Sequence, residues 1–133
     1  MADPGFPIRL FSLDEANAVL PRVSELLAQM RACRKAVVSA QALADVEELT
    51  GGPKEGPHMS KLLGQVESDT RAFHEMQDAF QRLGCELKDL ERGLVDFYSV
   101  RGNDVVYLCW LEGEPGIGWW HPLHSGFQGR APL

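Results

Sequence analysis

The chain has no long apolar run. No stretch of its 133 residues approaches the ~20 apolar residues that a membrane-spanning helix needs. The amino-terminal segment MADPGFPIRLF also lacks the charged-then-apolar pattern of a secretory signal peptide. We therefore expect a cytoplasmic protein without a membrane partner.

Cysteine is scarce and unpatterned. The three cysteines, Cys33, Cys85 and Cys109, are odd in number and do not space as a disulfide framework does. The sequence therefore favours a reduced, cytosolic protein over a disulfide-stabilised secreted one.

Positive charge is also in short supply. Thirteen Lys and Arg stand against nineteen Asp and Glu, which gives a formal net charge of −6. Affinity for nucleic acid depends on clustered cations that release counterions from the phosphates. The group Arg31, Arg34 and Lys35 is the nearest approach to such a cluster, so nucleic acid is not an expected partner.

The amino-terminal part of the chain carries a helical pattern. Ser12 and Glu15 form the S-x-x-E pattern of a capping box at a helix start. Pro21 predicts either a kink after Leu20 or the first turn of a new helix. Apolar residues at three- and four-residue steps then predict a long amphipathic helix that runs to about Glu48.

A second helical pattern follows a short break. The Gly- and Pro-rich segment 51–57 predicts a flexible connection. Periodicity resumes at Met59 and ends at Leu83, and Gly84 stands where a left-handed helix C-cap is expected. Two long helices joined in this way predict an antiparallel hairpin, because each has one apolar stripe to bury.

The last third of the chain has the pattern of strands. Residues 93–100 and 105–111 are rich in β-branched and aromatic side chains, and Gly102-Asn103 between them predicts a two-residue hairpin turn. A turn over 112–116 and a third strand over 117–121 follow, and a tail from Pro122 to Leu133 is expected to run as an extended surface loop. The predicted class is α+β in one domain, with a helical hairpin over 1–84 and a small antiparallel β-meander and tail over 85–133.

These turns predict a strand register. Asp96 would pair with Cys109, Cys109 with Trp119, Tyr107 with His121, and Leu111 with Ile117. Because side chains alternate between the two faces of a sheet, Asp96, Cys109 and His121 would then share one face. The opposite face, which carries Val95, Phe97, Val106, Leu108, Trp110 and Trp120, would be the core against the helices.

Three chemical interpretations of the Asp96, Cys109 and His121 group stay open. The group could ligate zinc or iron, with Glu112, Glu114 or His124 as further ligands. It could form a Cys-His-Asp set with a nucleophilic thiol. It could also be a hydrogen-bonded cluster that fixes strand register or a subunit contact. Whether the protein is an enzyme is left open.

Other residues of this region are candidates for binding. Arg130 could bind an anionic small molecule or form an ion pair with Glu112, Glu114 or Asp96. His121 and His124 have H-x-x-H spacing, but the intervening Pro122 excludes the helical geometry of zinc proteases. The density of aromatic residues predicts an interface, which makes a binding or assembly module and a homodimer the leading expectation. Its ligand-contacting residues would be Asp96, Trp110, Glu114, Trp120, His121 and Arg130.

Several motifs together resemble one known family. The opening F-S-L-D-E-A-N-x-x-L-P and the strings G-L-V-D-F, L-C-W-x-x-G-E, W-H and G-F-x-G-R-x-P are similar to the bacterial family called domain of unknown function twenty-two hundred and three. The similarity runs from Phe11 to Leu133. It implies that the polar residues of the carboxy-terminal third identify the family, and it implies no particular reaction. The motif positions are occupied by Gly93, Leu94, Asp96, Phe97, Leu108, Cys109, Trp110, Gly113, Glu114, Trp120, His121, Gly126 and Arg130.

Overall fold

A computed structural model of the chain describes residues 8–51 and 56–133. Helix α1 runs over Leu13–Leu49 and helix α2 over Pro57–Leu83. Both helices were predicted from periodicity, and together they form a hairpin. Four residues of the predicted connection, 52–55, lie outside the described part of the chain.

The capping box at the start of α1 is confirmed. The Ser12 backbone N–H donates to Glu15 Oε1 at 3.0 Å, and the Glu15 N–H donates to Ser12 Oγ at 3.1 Å. The helix continues through Pro21 without a second start. At the end of α2, beside the start of α1, Gly84 has a φ of 91°, as a left-handed C-cap requires.

The chain divides into two compact units, and the first contains residues 8–27 and 78–133. Its centre is an antiparallel sheet of five strands in sequential order. The strands are β1 (Glu86–Asp89), β2 (Leu94–Arg101), β3 (Asp104–Leu111), β4 (Trp119–Pro122) and β5 (Ala131–Pro132), with a short 3₁₀ helix over Phe127–Gly129. The predicted meander is therefore present, with an additional strand at each edge.

The start of α1 and the residues before it cover one sheet face. Phe11 packs edge-on against Phe97 with ring centroids 5.2 Å apart, and Ser99 Oγ donates to the Phe11 carbonyl at 2.6 Å. Val95 and Leu108 are buried on the same face. On α1, the side chains buried at three- and four-residue steps are Ala16, Leu20, Val23 and Leu27.

The predicted register is confirmed except at one end. Asp96 pairs with Cys109, Cys109 with Trp119, and Tyr107 with His121. The third strand begins at Trp119 rather than at Ile117, because the Ile117 N–H donates to Asn17 Oδ1 at 2.9 Å instead of to a neighbouring strand. The predicted pair of Leu111 and Ile117 is therefore not part of the ladder.

The second unit contains residues 28–77, of which 28–51 and 56–77 are described. A small apolar cluster of Ala44, Met59 and Leu62 joins its two helical segments. His58 Nδ1 lies 2.9 Å from Glu47 Oε2 near the helix ends. Although α1 has 37 residues, neither helix includes a described stretch apolar enough to cross a lipid bilayer.

Candidate functional site

Three neighbouring strands bring a carboxyl, a thiol and an imidazole together on the second sheet face. Asp96 lies on β2, Cys109 on β3 and His121 on β4. One ligand atom from each, a carboxylate oxygen, Sγ and a ring nitrogen, lies within 4.8 Å of the other two. All three residues are buried, with exposed fractions of 2%, 0% and 1%. We refer to them as the buried triad.

His121 is held at both ring nitrogens. Nε2 lies 3.0 Å from Asp96 Oδ2, and Nδ1 lies 2.9 Å from the backbone carbonyl oxygen of Pro122. A carbonyl oxygen only accepts hydrogen bonds, so Nδ1 carries a proton and donates it to Pro122. One further proton then lies between Nε2 and Asp96 Oδ2, because a hydrogen bond there needs one donor.

Asp96 has one oxygen in this hydrogen bond and one without. Oδ1 is buried and has no hydrogen-bond partner among the residues that the structure describes. Burial raises the pKa of the Asp96 carboxyl, and the nearby His121 acts against that rise. A buried carboxyl oxygen without a partner is unfavourable, which makes Oδ1 the unsatisfied atom of the triad.

Cys109 is a thiol rather than a thiolate at neutral pH. Burial, with the Asp96 carboxylate adding to it, raises the pKa of Cys109 to about 12, while the guanidinium of Arg130 acts in the opposite direction. In a nucleophilic Cys-His-Asp set, the imidazole bridges the thiol and the carboxyl through its two nitrogens. Here Asp96 and Pro122 hold those nitrogens, so the triad lacks the geometry of an activated nucleophile.

Arg130 and Glu114 form a second polar group beside the triad. The guanidinium nitrogens of Arg130 lie 3.1 and 3.0 Å from the two carboxylate oxygens of Glu114. Glu114 Oε1 also accepts from the Leu111 N–H at 2.7 Å. Of the pairings predicted for Arg130, the structure has the one with Glu114, and an anionic ligand would have to compete with that carboxylate.

The remaining predicted residues are not part of the buried triad. His124 is exposed, and Glu112 is half-buried on the turn after β3. Trp110 is buried and donates from Nε1 to the Glu114 carbonyl at 3.1 Å, while Trp120 is half-buried with Arg101 over its ring. The further metal ligands predicted from sequence, Glu112, Glu114 and His124, do not join the cluster of ligand atoms that Asp96, Cys109 and His121 form in the described part of the chain.

A tyrosine pair lies next to the triad on the same sheet face, and its carboxylate partner was not predicted from the sequence. The Tyr107 ring lies 5.2 Å from the His121 ring, and Tyr107 Oη donates to Glu86 at 3.2 Å. The hydroxyl groups of Tyr98 and Tyr107 are 3.2 Å apart. Hydrogen bonding to Glu86 raises the pKa of Tyr98. The two tyrosines share the predicted face, but Glu86 lies on β1, which the sequence analysis did not identify.

A protein-family model matches almost the whole chain, including the residues of the candidate site. Residues 9–133 match the family model DUF2203, described as an uncharacterized conserved protein. The chain belongs to this family. The DUF2203 match spans the buried triad, the Arg130 and Glu114 pair and all of α1, and it confirms the family resemblance noted from the motifs. Neither a curated protein nor a solved structure matches the chain.

Proposed function

We propose that this protein binds one divalent transition metal ion, with zinc as the best fit, through Asp96, Cys109 and His121. The observation that carries the proposal is the buried triad itself, with three potential ligand atoms within 4.8 Å of one another. Imidazole, thiolate and carboxylate together suit zinc or iron, and zinc commonly takes such mixed sets in tetrahedral geometry.

The orientation of His121 supports this proposal. Metal-bound histidines usually donate their second ring N–H to a carbonyl or carboxylate, which fixes the ring and its tautomer. The Nδ1 contact with the Pro122 carbonyl, at 2.9 Å, supplies such a bond. Nε2 is then the nitrogen that would bind the ion, and it is the one that points to Asp96.

Asp96 supplies a second argument. Its buried Oδ1 has no hydrogen-bond partner among the described residues, and a bound cation would compensate a carboxylate in that position. Zinc bonds of ~2.1 Å at tetrahedral angles place nitrogen and oxygen ligands ~3.4 Å apart. The observed 3.0 Å between Nε2 and Oδ2 would therefore open by a few tenths of an ångström.

Metal binding at this site would release protons. The Cys109 thiol must lose its proton to become a ligand, and the ion must replace the proton between Asp96 and His121. The affinity for zinc should therefore rise steeply with pH near neutrality. Three protein ligands would leave one tetrahedral position for another donor.

Metal analysis tests the proposal. Untagged protein, purified without chelators and then titrated with zinc, is expected to bind one ion, and cobalt is expected to give a sulfur-to-cobalt absorption band. Cys109→Ser should lose that band, and His121→Ala should lose zinc. His124→Ala and Cys85→Ala are matched controls outside the triad and should bind as wild type does. Wild-type protein that stays free of zinc and cobalt at micromolar concentrations would refute the metal site.

A second candidate function is self-association, which a separate feature of α1 favours. Val38, Val46 and Leu49 are exposed by 62%, 56% and 86%. At 100° per residue they share one side of the helix, opposite the side of Ala40 and Ala44, which are buried. We propose that this second apolar stripe pairs with the same stripe of another copy, giving a homodimer. We also propose that the protein is located in the cytoplasm. All three of its cysteines are free, as is usual for proteins of a reducing compartment.

Sedimentation measures self-association directly. Wild-type protein is expected to be dimeric, and Val46→Glu should shift it to monomer without loss of helix. Ser60→Glu, an exposed site on α2, is the control and should leave the dimer intact. A wild-type monomer at high concentration would end this proposal and leave the metal site unaffected.

A further inference from the structure

Arg130 is more firmly fixed than a residue in a short carboxy-terminal segment needs to be. Its side chain is only 13% exposed, and Glu114 holds both of its terminal nitrogens. Its guanidinium carbon lies 4.6 Å from the Trp119 ring centroid and 4.2 Å from that of Phe127. A paired and stacked guanidinium of this kind has one orientation rather than many.

That orientation directs Arg130 toward the buried triad. Trp119, which Arg130 covers, is the cross-strand partner of Cys109, and the guanidinium of Arg130 is close enough to Cys109 to act against the rise in the pKa of its thiol. Arg130 therefore connects a proposed metal ligand on β3 to residues 126–133.

The rest of this carboxy-terminal segment is held by few hydrogen bonds. Strand β5 pairs with β4 through only two residues, Ala131 and Pro132, and the Leu133 N–H donates to the Gly118 carbonyl at 3.0 Å. The 3₁₀ helix has no side-chain hydrogen bond at its N-cap. Segments with so few backbone bonds open at low free-energy cost, so the contacts of Arg130 carry much of the docking.

We propose that Arg130 couples metal binding at the buried triad to the docking of residues 126–133, by donating a hydrogen bond to the metal-bound sulfur of Cys109. The inference rests on the proposed metal site. A metal-bound thiolate accepts a hydrogen bond from a guanidinium more strongly than a neutral thiol does, because the bond becomes charge-assisted. Such outer contacts typically change metal affinity 10–100-fold.

The coupling has to be reciprocal. If the docked segment strengthens zinc binding by some factor, zinc must strengthen docking by the same factor. Arg130 is a positioning residue in this scheme, since it would donate to the ligand sulfur and would not bind the ion. Zinc should therefore slow hydrogen exchange in residues 126–133, although none of these residues binds the ion.

Hydrogen exchange measured by mass spectrometry, with zinc affinity measured on the same samples, tests the coupling. In wild type, zinc is expected to slow exchange of residues 126–133 about tenfold or more. Arg130→Gln should lose that slowing and bind zinc at least about tenfold more weakly. Glu114→Gln keeps Arg130 but weakens the hydrogen bonds that hold its guanidinium. Its zinc affinity and zinc-dependent exchange should fall between those of wild type and Arg130→Gln, and it replaces Arg130→Gln in the test if that variant does not fold.

Arg101→Gln is the matched control. Arg101 also lies over a tryptophan of β4, 4.6 Å from the Trp120 ring centroid, but it is at the end of β2 away from Cys109. The Arg101→Gln variant should match wild type in zinc affinity and in zinc-dependent hydrogen exchange. If wild type binds zinc and Arg130→Gln behaves like it in both measurements, the coupling is refuted while the metal site stands. If wild type binds no zinc, both proposals are refuted.

Discussion

The Nε2 atom of His121 and the Oδ2 atom of Asp96 lie 3.0 Å apart, and their side chains are only 2% and 3% exposed. Removing one member of a buried hydrogen-bonded pair leaves the other desolvated and without its partner. The pair therefore links β2 to β4 across the intervening strand β3, and its loss should be felt in the free energy of unfolding.

Replacement of Asp96 tests that link in the metal-free protein. Asp96→Ala is expected to lower the free energy of unfolding by roughly 3 kcal/mol, because His121 stays buried without its partner. Asp96→Asn keeps the shape and a hydrogen-bonding group and should cost less than half as much. Urea denaturation with a chelator present measures both variants. Equal losses in the two would mean that neither the shape nor a neutral hydrogen-bonding group can replace the Asp96 carboxyl.

Alkaline pH should destabilise the protein through its buried thiols. Burial raises the pKa of Cys85 from 9.0 to about 12, so the folded state holds a proton that the unfolded state has already lost. This contribution is complete below pH 9 and is lost as the pH rises towards 12. Within that window the free energy of unfolding should fall by about 1.4 kcal/mol per pH unit for each such thiol.

Cys85→Ala isolates the contribution of one thiol. The variant should show a slope shallower by one proton between pH 9 and 12, with a constant offset from lost packing at every pH. Denaturation curves at several pH values give that slope. An unchanged slope in the variant would contradict the assignment to Cys85.

The helix C-cap at Gly84 should be intolerant of a side chain. Its φ of 91° is strained for any other residue, and a Cβ there would stand 2.8 Å from the Cβ of Arg9. Gly84→Ala is expected to cost about 1–3 kcal/mol. Gly64→Ala is the control within α2, where nothing lies within 4 Å of a new Cβ, and it should stabilise by about 0.5–1 kcal/mol. Thermal unfolding should move the two variants in opposite directions.

The capping box predicts a smaller effect at the start of α1. Ser12→Ala removes the acceptor of the Glu15 N–H and should cost about 1 kcal/mol. Ser12→Asp keeps an acceptor at the helix start and should restore most of that loss. A variant with alanine that unfolds at the wild-type denaturant concentration would show that the exposed cap contributes little.

The sequence predicted the central strands well because their geometry is local. The Gly102 φ of 64° and the two-residue turn align β2 with β3, and a period of two then decides which side chains share a face. This is why the sequence alone placed Asp96, Cys109 and His121 on one face of the sheet. Leu111 and Ile117 were paired wrongly because the Ile117 N–H has a partner on α1, far away in sequence.

The two edge strands and the role of Arg130 were not predictable by the same reasoning. Strand β1 is the polar sequence Glu-Leu-Lys-Asp, without β-branched residues, and β5 is two residues long and includes Pro132. Neither has the composition that marks a strand. The path of residues 126–133 depends on contacts with Glu114 and Trp119 rather than on periodicity. The position of Arg130 near Cys109 could therefore not be deduced from the sequence.

Two tryptophans next to Cys109, one along the chain and one across the sheet, give the protein an optical reporter of its own. Trp110 follows Cys109 directly and is buried, and Trp119 lies opposite Cys109 under the guanidinium of Arg130. Intrinsic fluorescence should therefore respond to changes around the sulfur without a dye or a label. A paramagnetic ion such as copper or cobalt bound there would quench this emission.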